Sequence, residues 1–136
     1  MVVDVTRLSR LFPGRSRSVA AARSFAWAFV VGRVPDDVVH SVELVVSELA
    51  TNAVAHTASG QPGGHFVLEL EMLDGAVRVG VVDGGAPGAP TKSEGAPDFD
   101  ATAGRGLFIV DAVAKQWAAE SVRVGRRVWA ELAAEV

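Results

Sequence analysis

Glu48, Asn52 and His56 recur every four residues in a stretch whose other positions are largely apolar. On an α-helix four residues rotate 400°, so each of the three lies only about 40° from the last along one stripe. A carboxylate, a carboxamide and an imidazole would then share one strip, while the apolar residues cover another. Asparagine is a poor helix-interior residue because its side chain competes for backbone hydrogen bonds, so a purely structural helix has no use for Asn52. Spacing alone leaves a solvated face with a Glu–Asn neighbour pair equally open.

Two other places carry chemistry-bearing groups. Asp83 closes the alternating run Val77, Val79, Val81 and is followed by Gly84-Gly85. A carboxylate there could accept a hydrogen bond from a ligand's exocyclic amine, or be an ordinary turn residue. Gly104-Arg105-Gly106 precedes an apolar helical segment. Glycines at a helix start let backbone N–H groups approach an anion, which the helix dipole favours. Arg105 adds a forked cation suited to phosphate or carboxylate. No GxxxxGK[ST] is present, and Ile109 occupies the third glycine position of GxGxxG, which excludes a P-loop and a dinucleotide fingerprint.

The elements that must position these groups follow from periodicity. Ser16 to Val31 reads as a first, Ala-rich helix with Gly32 past its end. Pro35-Asp36-Asp37 opens a second, running to His56 or Thr57 with Val38, Val42, Val45, Val46, Leu49 and Ala53 on its core face. Phe66, Leu68 and Leu70 alternate as a strand, Asp74-Gly75 is a hairpin turn, and Val77 to Asp83 is the partner strand. Residues 84–104 are rich in Gly, Pro, Ala and Asp without periodicity, as in a functional lid or a disordered segment. Leu107 to Ala114 reads as a third helix, and Trp117–Val124 with Arg127–Leu132 as a closing hairpin around Gly125. Hairpin strands with segregated helices describe an α+β sandwich, not a doubly wound parallel sheet.

The 136 residues suit one domain, and a domain of that size buries roughly two-thirds of its unfolded surface. With no cysteine, disulfides, thiolate-bound zinc, iron–sulfur clusters and a thiol nucleophile are excluded. Three histidines leave little room for a histidine metal site, and a net charge of −3 gives no general reason to bind nucleic acid or an anionic membrane. The start lacks a secretion-signal pattern, and the longest apolar run, Phe25 to Val31, is far short of the ~20 residues of a membrane helix. A soluble cytoplasmic protein is expected.

Glu48–Asn52 on a helix, Asp83-x-Gly85 after a strand, a Gly/Pro-rich segment and then Gly104-Arg105-Gly106-Leu107 together resemble the GHKL ATPase superfamily, which includes gyrases, histidine kinases and MutL. Within it, Glu-Leu-Val-Val-Ser-Glu-Leu-Ala-Thr-Asn-Ala-Val-Ala-His (43–56) and Gly-Arg-Gly-Leu-Phe-Ile-Val-Asp-Ala-Val-Ala-Lys-Gln-Trp (104–117) look like the small anti-sigma-factor serine/threonine kinases of the RsbW-like and SpoIIAB-like kind. Such regulators are numerous in actinobacteria, in keeping with eleven arginines against two lysines. The resemblance runs from about Phe12 to Leu132.

That resemblance implies a Bergerat fold: a two-layer α/β sandwich, its mixed, mostly antiparallel sheet carrying helices on one face, in a single domain over residues 1–136. It implies ATP and Mg²⁺, with Asn52 as the metal ligand, Asp83 reading the adenine amine, and Gly85 letting the base lie close. Gly104, Arg105, Gly106 and Leu107 fall at the phosphates, and residues 86–103 correspond to a flexible ATP lid. Glu48 matches the carboxylate that takes the proton from an attacking serine or threonine hydroxyl on the partner. His56 is assigned a structural or capping role. The implied activity is phosphorylation of a STAS-domain anti-sigma-factor antagonist together with sequestration of a sigma factor, with no direct nucleic acid or membrane contact. Close relatives dimerise through the sheet edge and first helix, so a homodimer belongs to the expectation.

Two departures keep a second reading in view, a non-catalytic nucleotide-binding or docking module acting by sequestration. Asp83-Gly84-Gly85-Ala86-Pro87 lacks the last glycine of the superfamily's DxGxG box, and Arg127 stands where a threonine beside the adenine is expected.

Overall fold

The computed structural model describes residues 5–84 and 104–134, apart from the side chains of Ala58 and of residues 104–107. In chain order the elements are β1 (Arg7–Pro13), α1 (Ser16–Val30), α2 (Asp36–His56), a 3₁₀ turn (Ala58–Gly60), β2 (His65–Leu73), β3 (Ala76–Asp83), α3 (Gly104–Val113), β4 (Gln116–Val122) and β5 (Gly125–Ala133). The strands form one sheet in the order β1-β2-β3-β5-β4. Every pairing is antiparallel, so the sheet is more regular than the mixed, mostly antiparallel one expected. The segment assigned to a lid lies outside the described residues.

β3 is the central strand, and its alternation decides the layers. Val77, Val79 and Val81 point to one side and are buried with Phe66, Leu68 and Leu70 of β2 and Val128, Ala130 and Leu132 of β5. The β2–β3 turn follows from Asp74-Gly75, where Gly75 takes φ +74°, a backbone conformation that costs glycine little. α2 covers this apolar face. Its buried set includes Val42, Val45, Val46, Leu49 and Ala53 as expected, and also Val39 and Ala50, while Val38 is only half-buried. The stripe is broader than one helix face because α2 packs against the sheet, α1 and α3 at once. By length and apolar content α2 could cross a bilayer, but here that apolarity is buried against its neighbours.

β1 is an element that periodicity did not predict. Six of its seven residues are exposed, so no alternation marks it, and Arg7, Arg10 and Pro13 guard its open edge. Phe12 alone is buried, stacked on Phe66 at 5.5 Å and edge-on to Phe25 at 6.1 Å. The strand therefore forms because β2 offers it a free edge and Phe12 a place in the core.

The other face of the sheet carries no helix among the described residues and is built from charged cross-strand pairs. Arg7 lies 3.6 Å from Glu71, and Arg78 pairs with Glu131 while stacking over the Trp129 ring at 4.5 Å. The Gln116 amide donates to the second Glu131 oxygen at 2.9 Å. These two donors, the amide first, hold the buried Glu131 carboxyl below the ordinary glutamate value of 4.5. A depressed folded value adds stability above the ordinary carboxylate range, and that stability is lost as pH falls through the folded value. Glu131→Gln is expected to cost about 1 kcal/mol near pH 7, a modest figure because Arg78 stays 40% exposed. The gap from wild type should close on acidification below the folded value, as read by thermal melts across pH.

Candidate functional site

α2 presents different flanks to its two helical neighbours. Ser47 accepts a hydrogen bond from Arg23 of α1 at 3.2 Å, which fixes the flank facing α1. On the other side Asp37, Val38 and Ser41 line a cleft with Val113, Ala114 and Lys115, at the end of α3. Glu48 and Asn52 continue the Ser41 stripe at intervals of seven and eleven residues, so they lie on the α3 side, both half-buried. α3 meets the start of α2 with its C-terminal end. His56 is the last residue of α2 and exposed, where a basic group suits the helix's negative end.

The helix begins at Gly104, so Gly104-Arg105-Gly106 forms the first turn of α3 and does not merely precede it. Its backbone N–H groups are the ones a helix leaves without internal partners. The side chains of Arg105 and Leu107, and Gly85 altogether, lie outside the described residues.

Asp83 ends β3 on the helix-covered face and is 4% exposed. Its surroundings are tied to the end of α2 through a short relay. The Thr57 hydroxyl donates to the Ala53 carbonyl at 2.6 Å and accepts from the Ser59 N–H at 3.0 Å. The buried Ser59 hydroxyl then accepts from the Gly84 N–H at 2.9 Å, fixing the residue after Asp83. Gly125 closes the other side: a Cβ there would fall 2.1 Å from the Asp83 carbonyl oxygen, and its φ of +154° also favours glycine.

The structure relocates the arginine that the sequence placed beside the adenine. β5 alternates, so Val128, Ala130 and Leu132 face the helices while Arg127 and Trp129 face away. Arg127 lies on the open face, bonded to Glu69 at 2.9 Å and Glu120 at 3.1 Å, and these acids raise its pKa. Arg126 is the residue on the Asp83 side, its Nη2 3.4 Å from Oδ2. The sequence reading missed Arg126, Thr57 and Ser59. Counting by two from Val128 would have found Arg126, whereas no local pattern marks the relay.

The donor set can be tested against the implied metal. Among the described residues no group of three or more His, Asp or Glu side chains is placed to hold an ion, and Asn52 and Glu48 have no hydrogen-bond or ion-pair partner. One amide oxygen beside a carboxylate is poor for a metal that demands a full protein cage. It fits Mg²⁺, which prefers oxygen, keeps several waters and relies on phosphates for the rest.

The chain is thus a two-layer α/β sandwich with a polar helix flank, a buried strand-end carboxylate and a glycine-bounded helix N-terminus. Residues 12–132 match the histidine kinase-like ATPase domain, and the chain belongs to that family. It is 32% identical over 75 residues to anti-sigma F factors of two Clostridium botulinum strains, Eklund 17B and Alaska E43. That alignment takes in 54% of this chain and 52% of theirs, so the chain spans about half the length of the curated relatives it matches. The crystal structure of the RsbU and RsbW domains of Rv1364c from Mycobacterium tuberculosis superposes with a TM-score of 0.73 at 15% identity, over 96% of this chain and 33% of that one. At that identity the likeness concerns the fold.

Because Arg127 lies on the face away from Asp83, Arg127→Thr should change ATP affinity by less than about twofold, as for independent sites. It should cost no more than about 1 kcal/mol in stability, as for partly exposed ion pairs. Calorimetric titration and thermal melts of the two proteins check both.

Proposed function

We propose that this chain is an ATP-dependent serine/threonine protein kinase that regulates a sigma factor by phosphorylating a STAS-domain antagonist. Membership of the histidine kinase-like ATPase family supports nucleotide binding, and the relatives named anti-sigma F factors support a sigma factor as partner. The observation that carries the reading is the shared position of Glu48 and Asn52 on the α3-facing flank of α2, above a sheet whose central strand ends in buried Asp83.

In this reading Asp83 accepts a hydrogen bond from the adenine amine, and its burial makes that bond selective. The first-turn amides of α3 receive the phosphates. Asn52 would hold Mg²⁺ through its carboxamide oxygen, and the ion would supply charge neutralisation at the triphosphate. Glu48 accepts the proton of the antagonist's hydroxyl as its oxygen bonds to the γ-phosphorus and the bond to the β-phosphate oxygen breaks. The nucleotide leaves as ADP, the antagonist becomes a phosphate ester, and the hydroxyl proton rests on Glu48.

Transfer of the terminal phosphate to a purified STAS-domain protein in Mg-ATP tests the proposal directly. Glu48→Gln should keep ATP binding while lowering transfer by about 100-fold or more. Asp83→Asn should weaken ATP binding by about tenfold, the equivalent of one lost bond to a charged acceptor. Transfer at the normal rate by Glu48→Gln removes that residue as base. Wild-type protein that binds ATP yet labels no antagonist leaves the docking module instead.

A further inference from the structure

β5 carries one charged side chain on its helix-facing side among the described residues, Arg126, where Val128, Ala130 and Leu132 otherwise continue the core. In the β3–β5 register Arg126 stands directly across from Asp83. The Asp83 side chain is 2% exposed and that of Arg126 27%, so the guanidinium reaches the carboxylate from a more open position. Their separation of 3.4 Å exceeds the roughly 2.8 Å of a tight charge-assisted bond. A largely buried ion pair adds little net stability over an apolar pair, so packing does not account for an arginine here. Gly125 holds the two strands close at this point, since a Cβ would meet the Asp83 carbonyl.

The pair presents an acceptor and a donor side by side at the end of the central strand. Adenine presents the complementary order on its Watson–Crick edge: the exocyclic amine donates and the adjoining ring nitrogen, N1, accepts. We propose that Arg126 is a base-reading residue, its guanidinium donating to adenine N1 while Asp83 accepts from the amine. The inference rests on the assignment of Asp83 to the base, made above, and extends it to a second residue on a different strand. Arg126 thereby sets the site against nucleotides that lack an acceptor at N1, because the bond from its guanidinium to the base would then be lost.

The test compares ATP with 1-deaza-ATP, in which carbon replaces N1, by calorimetric titration of the full chain with Mg²⁺. Wild type should bind 1-deaza-ATP about tenfold more weakly than ATP. Arg126→Leu should bind ATP about as weakly as wild type binds the analogue, and should no longer distinguish the two nucleotides. Arg126→Lys, which keeps a donor, should retain part of the discrimination, a result that a merely structural role would not produce. Should Arg126→Leu fail to fold, the wild-type and Arg126→Lys titrations still decide. Equal wild-type binding of ATP and 1-deaza-ATP overturns the inference and leaves the adenine site standing. Tighter ATP binding by Arg126→Leu also overturns it, making the arginine a competitor for Asp83. No wild-type binding of either nucleotide overturns the nucleotide site itself and the inference with it.

Discussion

The burial of α2 against the central strand is the constraint on which the rest of the structure depends. Val42, Val45, Val46, Leu49 and Ala53 meet the side of the sheet formed by Val77, Val79 and Val81, all buried. With its apolar stripe locked downward, the helix has no freedom to turn, and Glu48 and Asn52 are carried to the flank beside α3. The same contact fixes where β3 ends under the helix, and so where Asp83 lies. A functional side chain on a rigid, tightly packed element is held far more closely than one on a loop. Here the core holds the element that carries Glu48 and Asn52, and both stay only half-buried.

The sheet separates two kinds of chemistry by parity alone. Along β2, β3 and β5 its covered face is apolar until Asp83 and Arg126 meet at one end. Its open face is a lattice of matched charges, in which Arg127, Glu69 and Glu120 on three neighbouring positions satisfy one another. Adjacent residues of β5 thus serve unrelated purposes, because a strand sends successive side chains to opposite sides. Arg127 strengthens the solvent face and stands away from Asp83, whereas Arg126 holds the position beside that carboxylate, so no threonine stands there either.

The relay from Thr57 through Ser59 to Gly84 joins the end of α2 to the residue after Asp83. It links the helix that bears Glu48 and Asn52 with the strand end that bears Asp83, two parts of the candidate site that are distant in sequence. Buried hydroxyls that are fully matched rigidify such a junction, and an unmatched one would be costly.

Much of this architecture was legible in the residues themselves. The apolar spacing of α2, the alternation of β2 and β3 and the Asp74-Gly75 turn are local signals, and each element formed where its period said it would. The polar stripe of Glu48 and Asn52 was legible for the same reason, since helix geometry alone aligns residues four apart. What tertiary structure decided were the features that no local window contains. β1 exists because β2 left an edge open and Phe12 fitted the core, although its exposed residues carry no period. Arg126 joined Asp83, and Ser59 joined Gly84, through a strand register and a loop approach that bring residues 43 and 25 positions apart into contact. Local sequence determines which elements form and which way their faces point, because those depend on backbone geometry. Which faces meet depends on the packing of the whole chain, and only there did Arg126 come to lie beside Asp83.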